Sequence, residues 1–136
     1  MLSFTVEAEM AVAVQEPTTN VDFVTEAVLA AYRSHVDDAH EMALAEFLDS
    51  PVEVGATRAI VAKQARMVEI VLDGDTHIEA LTEVAWELDE RSWLFNVLVS
   101  LDRLGEAHTD LRGAPCTLQG WWFDEDAVRF TGFERP

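Results

Sequence analysis

Cysteine, lysine and glycine are scarce in this chain of 136 residues. Cys116 is the single cysteine, so no internal disulfide can form, and a reducing compartment is the default expectation. The six glycines form no phosphate-binding loop, and the patterns of a nucleophile elbow, a zinc-binding helix and a calcium loop are also missing. On the absence of these motifs, an enzyme is the minority interpretation.

Basic side chains are few as well. Nine lysines and arginines stand against 26 aspartates and glutamates, which gives a net charge of −17, and Lys63 is the only lysine. A chain with this charge repels the phosphates of nucleic acids and the surface of anionic membranes. We therefore expect no direct contact with nucleic acid or membrane. The charge favours a basic protein partner, cations or a high-salt environment.

Long hydrophobic runs are missing too. Glu7 and Glu9 interrupt the apolar residues near the start of the chain, and no run approaches the length that spans a bilayer. We therefore expect no signal peptide and a cytoplasmic location. Hydrophobic residues still make up 49% of the chain, enough for one acidic α+β domain over residues 1–136 with a real core.

The chain is organised around residues 73–91, where a strand is predicted to lead into an acidic helix. Gly74 interrupts the preceding segment, Thr76 can cap the helix, and Glu79 lies three residues later as the partner in a capping box. Trp86 lies at the edge of the apolar stripe. The stripe typical of a core-facing helix consists of Ile78, Leu81, Val84, Ala85 and Leu88.

Glu79, Glu83 and Glu87 lie opposite that stripe at intervals of four residues. Like charges at this spacing oppose helix formation by a few tenths of a kcal/mol per pair. The row is either a solvated helix face or a surface that binds a basic partner. Further partner-binding candidates are Asp37, Asp38 and Glu41 on a preceding helix and Trp121, Trp122, Phe123, Asp124, Glu125 and Asp126 near the C-terminus.

The earlier part of the chain suggests a strand followed by a long helix. Residues 2–14 alternate between apolar and polar side chains, which predicts a half-buried strand. Residues 21–49 contain no glycine or proline and carry two apolar stripes that are out of phase. We therefore expect helix with a bend or break near residues 34–38.

Two segments remain open between strand and helix. Residues 67–72 alternate as a strand, with Val68, Ile70 and Leu72 opposite Glu69, but residues 57–63 and 93–101 fit either type. If both are strands, the order β-α-β-β-α-β is the ferredoxin-like arrangement. The predicted fold class is α+β, with a mixed or antiparallel sheet, helices mainly on one face and a C-terminal β-hairpin.

The C-terminal hairpin follows a predicted loop at residues 105–115. Its turn is acidic, at residues 124–126, and its strands are aromatic on both faces, because Trp121 and Phe123 oppose Trp122. Either one face meets a second subunit or a partner, or a covering helix buries both faces.

Metal and nucleophile chemistry find little support in the sequence. His40 lies three residues after Asp37, but neither has further residues at ligand spacing, so we expect no metal site and no cofactor. Cys116 with His108 or His35 is a conceivable nucleophile pair, whereas a lone cysteine is more often a small buried hydrophobe.

Two functional hypotheses follow from these patterns. The first is a non-enzymatic acidic interaction protein that binds a basic protein partner or itself as a homodimer, one version being an inhibitor that occludes a nucleic-acid-binding surface. The alternative is a small-molecule-binding regulator or enzyme with a pocket between sheet and helices. A pocket with convergent buried polar groups favours the alternative, and a flat acidic face with an exposed aromatic side chain favours the first.

Overall fold

The computed structural model describes residues 20–48, 58–72 and 77–136. The described helices are α1 (Asn20–Arg33), α2 (Leu44–Leu48), α3 (Leu81–Glu90) and α4 (Leu104–Asp110). The strands are β1 (His40–Ala43), β2 (Arg58–Ala62), β3 (Met67–Val71), β4 (Leu94–Ser100), β5 (Thr117–Asp124) and β6 (Ala127–Phe130). Single 3-10 turns, Ile78–Ala80 and Leu101–Arg103, lead into α3 and α4.

The six strands form one mixed sheet in the order of the chain, from β1 to β6. Strands β1, β2 and β3 are antiparallel, β3, β4 and β5 are parallel, and β5 and β6 form an antiparallel hairpin. The predicted α+β class, the mixed sheet and the C-terminal hairpin are therefore confirmed.

Helices cover both faces of this sheet. On one face, α2, α3 and α4 enclose the larger core, which includes Leu81, Leu88 and Leu118. Helices α3 and α4 lie there because each connects two parallel strands, and such a crossover must pack against the sheet. Helix α1 covers part of the other face, where Val24 and Val28 pack in a second core with Leu98 and Trp121.

The ferredoxin-like strand order is not the one observed. In that order the last strand of the β-α-β-β-α-β unit pairs with the first, whereas β4 lies parallel to β3 and between β3 and β5. The first predicted strand, residues 2–14, lies outside the described residues.

The prediction of helix over residues 21–49 is only partly right. Helix α1 ends at Arg33, close to the predicted break, but His40–Ala43 then forms an edge strand instead of resuming the helix. This segment pairs with β2 in a register that joins His40 to Val61, so its conformation follows from a long-range pairing that the local pattern does not contain. Helix returns only at α2, for five residues.

The loop predicted at residues 105–115 is also corrected, since its first part is helix α4. Gly105 disfavours a helix by about 1 kcal/mol relative to alanine, but Ala107 and Leu111 are fully buried at this point and hold the segment against the sheet. The segment leaves helical geometry by Gly113, which has a φ of +82°.

Both ambiguous segments are strands. Residues 95–99 of β4 are buried without a break, as expected for a parallel strand covered on both faces, and this is why no alternation distinguished strand from helix. Among the described ranges, every helix falls short of the length and apolarity that a membrane crossing requires.

Candidate functional site

The outer side of α3 carries the predicted row of carboxylates. Glu79 and Glu83 are exposed, and Glu87 is half-buried and paired with Arg91 at 3.0 Å. The whole predicted apolar stripe on the opposite side is buried. The helix is therefore orientated as its sequence predicts. Glu79 and Glu83 have no ion-pair partner within the part of the chain that the structure describes.

Trp86 is the residue that sequence reasoning passed over. Its side chain is 51% exposed on the carboxylate side of α3. Glu83 lies three residues before it and the exposed Glu90 four residues after it, so both side chains are its direct neighbours on the helix surface. That spacing was visible in the sequence. We call Glu83, Trp86, Glu87 and Glu90, together with Glu79 of the preceding 3-10 turn, the acidic face of α3.

The start of this helical segment differs in detail from the prediction. Thr76, the predicted cap, lies outside the described residues. The chain enters through the 3-10 turn Ile78–Ala80, preceded by His77 in extended conformation and without a side-chain cap. Ala80 precedes α3 itself and also provides no side-chain cap.

The carboxylates of the β1 region are partly used inside the fold. Asp38 accepts a 3.0 Å hydrogen bond through Oδ2 from the backbone N–H of Gln64, in the turn between β2 and β3. Glu41 forms an ion pair with Arg58, which also pairs with Asp22 at 2.8 Å. Only Asp37 of the predicted group is exposed.

The acidic hairpin turn lies at the opposite edge of the sheet. Asp124 pairs with Arg129 at 2.9 Å, while Glu125, with a φ of +58°, and Asp126 are exposed. Because β1 and β6 are the outermost of the described strands, five interstrand spacings, about 24 Å along the sheet, separate the two strands. The predicted acidic residues thus form three separate groups of three, and Glu90 adds a fourth carboxylate to the group on α3.

The hairpin aromatic residues are divided between the two faces of the sheet. Trp121 is 6% exposed and contacts Phe123 edge-on with ring centroids 5.7 Å apart. The ring centroid of Phe123 in turn lies 5.6 Å from that of Phe23 on α1. These two rings are therefore engaged in the α1 core. Trp122 projects to the other face and is half-buried, so part of its surface is left for a partner.

A row of polar side chains crosses the sheet beneath α1. Glu69, Asn96 and Thr117 are direct neighbours in the register of β3, β4 and β5. Tyr32 of α1 donates a 2.7 Å hydrogen bond to Glu69 Oε1, and Thr117 Oγ1 donates one of 2.7 Å to Asn96 Oδ1. Burial raises the pKa of Glu69, although its hydrogen bonds with Tyr32 and Asn96 act in the opposite direction.

This polar row ends at an open pocket of about 300 Å³. Its lining includes the first residue of each parallel strand, namely Met67, Leu94 and Thr117. The pocket therefore lies at the amino-terminal ends of β3, β4 and β5. Asn96 and Thr117 belong both to the row and to the pocket lining. Asp89 and Arg135 are the two charged residues of the lining.

Two of the four histidines have polar partners inside the fold, and the cysteine is buried. His40 Nδ1 lies 2.9 Å from the carbonyl oxygen of Asp38, and His108 Nε2 lies 2.6 Å from Glu134 Oε1. Cys116 is 3% exposed, and burial raises the pKa of its thiol to about 11, so the thiol stays protonated at neutral pH. No group of three or more metal-ligating side chains occurs within residues 20–48, 58–72 and 77–136.

Comparisons with protein families, curated proteins and solved structures find no match to this chain. The function of the chain is therefore inferred from the geometry of its own residues.

Proposed function

We propose that the protein is a non-enzymatic acidic interaction protein of the cytoplasm that binds a basic protein partner through the acidic face of α3. The observation that supports the proposal is the position of Trp86, half-exposed between Glu83 and Glu90 on the outer side of a well-packed helix. Tryptophan and arginine are both enriched among the residues that dominate protein interfaces.

Burial of Trp86 in an interface supplies the apolar part of the binding energy. A tryptophan contributes on the order of 200 Å² of contact area, and about half of that remains exposed here. At about 25 cal/mol per Å², covering the exposed half contributes roughly 2.5 kcal/mol before the costs of association are subtracted. An arginine stacked on the ring adds a cation–π interaction of about 0.5–2 kcal/mol.

The surrounding carboxylates supply orientation and speed of association. Glu79 and Glu83 repel each other at a spacing of four residues, and a basic partner relieves this repulsion. Successive carboxylates along the helix stand about 6 Å apart, and they form a regular row of negative charge, as the phosphates of a nucleic-acid strand do. A nucleic-acid-binding protein is therefore a suitable basic partner, and the chain would act on it as an inhibitor that occludes its binding surface.

The first test is calorimetric titration with an arginine-rich peptide. Trp86→Ala is expected to weaken binding several-fold through loss of the stacked ring. Phe133→Ala is the matched control, because Phe133 is an aromatic residue 66% exposed outside α3. Equal affinities for wild type and both variants would contradict the role of Trp86. A lysine-rich peptide of equal charge should bind more weakly, because lysine stacks less well on aromatic rings.

A further inference from the structure

The pocket at the amino-terminal ends of β3, β4 and β5 combines an apolar wall with a polar floor. Leu94 and Phe133 are 65% and 66% exposed, although most large apolar residues of the described chain are buried. Exposed apolar residues that line one concave site are typical of a binding surface. The wall consists of Met67, Trp93, Leu94 and Phe133.

The floor of the pocket is held in place before any ligand arrives. Asn96 is 6% exposed, accepts a hydrogen bond from Thr117 and donates one of 2.9 Å to Gln119 Oε1. Gln119 donates in turn to the carbonyl oxygen of Thr131 at 3.0 Å. A floor fixed by such a network loses little conformational freedom when a ligand binds.

The two charged residues of the lining have opposite signs. Asp89 comes from the last turn of α3, and Arg135 follows the bridge that pairs Glu134 with Leu118 of β5. Arg135 is near enough to Cys116 for its charge to oppose the rise in the pKa of that thiol. Over the described ranges, neither Asp89 nor Arg135 has an ion-pair partner. Both charges are therefore available to a ligand.

We propose that this pocket binds a small zwitterion with an apolar side chain, that is, a free amino acid such as phenylalanine or leucine. Arg135 receives the carboxylate, Asp89 receives the ammonium group, and the apolar side chain lies against Leu94 and Phe133. None of the residues that form the acidic face of α3 lines this pocket, although Asp89 adjoins Trp86 on the helix, and the inference goes beyond the function proposed for that face.

Charge and size both select this class of ligand. A purely anionic ligand approaches a protein of net charge −17 against repulsion, and a purely cationic one leaves Arg135 without a counter-charge. A zwitterion has no net charge and satisfies both groups. A volume of about 300 Å³ lies at the lower end of the range of ligand pockets, which suits a small molecule such as a free amino acid.

Calorimetric titration with L-phenylalanine and L-leucine tests the proposal. At least one of them is expected to bind saturably to the wild-type chain. The analogues 3-phenylpropanoate and phenethylamine each lack one charged group and should bind roughly tenfold more weakly than L-phenylalanine. Absence of saturable binding by both amino acids would overturn the proposal. An analogue that binds as tightly as L-phenylalanine would overturn the assignment of a zwitterion.

Two single substitutions locate the contacts. Arg135→Gln should weaken the binding of L-phenylalanine roughly tenfold and leave the affinity for phenethylamine unchanged, because that amine has no carboxylate. Asp89→Asn should also weaken the binding of L-phenylalanine, but it should leave the affinity for 3-phenylpropanoate unchanged, because that acid has no ammonium group. Both residues are exposed, so the fold should survive, which circular dichroism checks. Lys63→Gln and Asp126→Asn are the matched controls outside the pocket lining.

The pattern across these variants separates a site from general electrostatics. Equal effects of Arg135→Gln and Lys63→Gln, or of Asp89→Asn and Asp126→Asn, would contradict the pocket. Leu94→Ser should also weaken the binding of L-phenylalanine, because it removes an apolar side chain from the pocket lining. Trp86→Ala should leave this affinity unchanged. Loss of binding in Trp86→Ala alone would place the ligand on the acidic face of α3, outside the pocket, and would overturn the proposal.

Discussion

The phenol of Tyr32 on α1 donates a 2.7 Å hydrogen bond to the carboxyl group of Glu69, a residue of β3 that is only 5% exposed. This bond joins the helix on one face of the sheet to a titratable group in the middle of it. Burial, the charge of Glu69 and the shared bond all raise the pKa of Tyr32, so the phenol remains a donor at every physiological pH. Docking of α1 therefore depends in part on a polar contact inside an apolar core.

Tyr32→Phe is expected to destabilise the fold by about 1–2 kcal/mol, because it leaves the Glu69 carboxyl buried with one fewer donor. Urea unfolding measures the change. The same substitution in a Glu69→Gln background should cost less, since a neutral amide needs the donor less than a carboxylate does. Identical losses in both backgrounds would contradict a direct coupling of the two residues.

The pH dependence of stability should contain a contribution from Glu69. Burial raises its folded-state pKa, so the folded protein binds more protons than the unfolded chain between the two pKa values. The contribution is favourable below the ordinary carboxyl pKa of about 4.3 and is lost as the pH rises through the raised value. Relative to Glu69→Gln, the wild type should lose stability across this window.

Urea unfolding at a series of pH values from about 4 to 7 checks this prediction. Glu83→Gln removes an exposed carboxyl group and is the control, so its stability should follow that of the wild type. A constant difference between wild type and Glu69→Gln at every pH would contradict the raised pKa.

The two sides of α3 should respond differently to truncation. Leu88 is fully buried, and Leu88→Ala should lower the free energy of unfolding by about 2–5 kcal/mol. Trp86→Ala removes a larger side chain but should cost less than about 1 kcal/mol, because half of the ring is already in water. A comparable loss in both variants would show that Trp86 is needed for the fold and would weaken its assignment as a binding residue.

Self-association through the hairpin is tested at Trp122. If this face joins two copies, Trp122→Ala should convert a dimer into a monomer in sedimentation experiments with only a modest change in the unfolding midpoint. Trp121→Ala, at a buried position, should instead cost about 3–5 kcal/mol of stability. A monomeric wild-type protein at high concentration would exclude the hairpin as a dimer interface.

The organising helix could be predicted because its signal is local. The five residues of its apolar stripe are all buried, and the 3.6-residue period alone was enough to place them on one side. The strand β1 could not be predicted in this way. His40–Ala43 fits a helical stripe equally well, and only its pairing with β2 makes it a strand.

The polar row could not be predicted from the sequence either, because its residues come from different strands. Asn96 and Thr117 are 21 residues apart, and only the parallel register brings them into contact. Glu69 was expected on the polar side of an alternating strand. It is instead buried, because α1 covers that side and provides Tyr32 as a partner. Alternation identifies the two faces of a strand but does not show which of them another helix will cover.

The most direct test of the central claim is the affinity for an arginine-rich peptide as a function of ionic strength. The triple variant Glu79→Lys, Glu83→Lys, Glu87→Lys reverses the acidic face of α3. A control triple, Asp37→Lys, Glu125→Lys, Asp126→Lys, changes the net charge by the same amount at exposed sites elsewhere. The α3 triple should lose most of the affinity and of its salt dependence, while the control keeps most of both. Equal losses in the two triples would contradict the claim, because they would show that the peptide responds only to net charge.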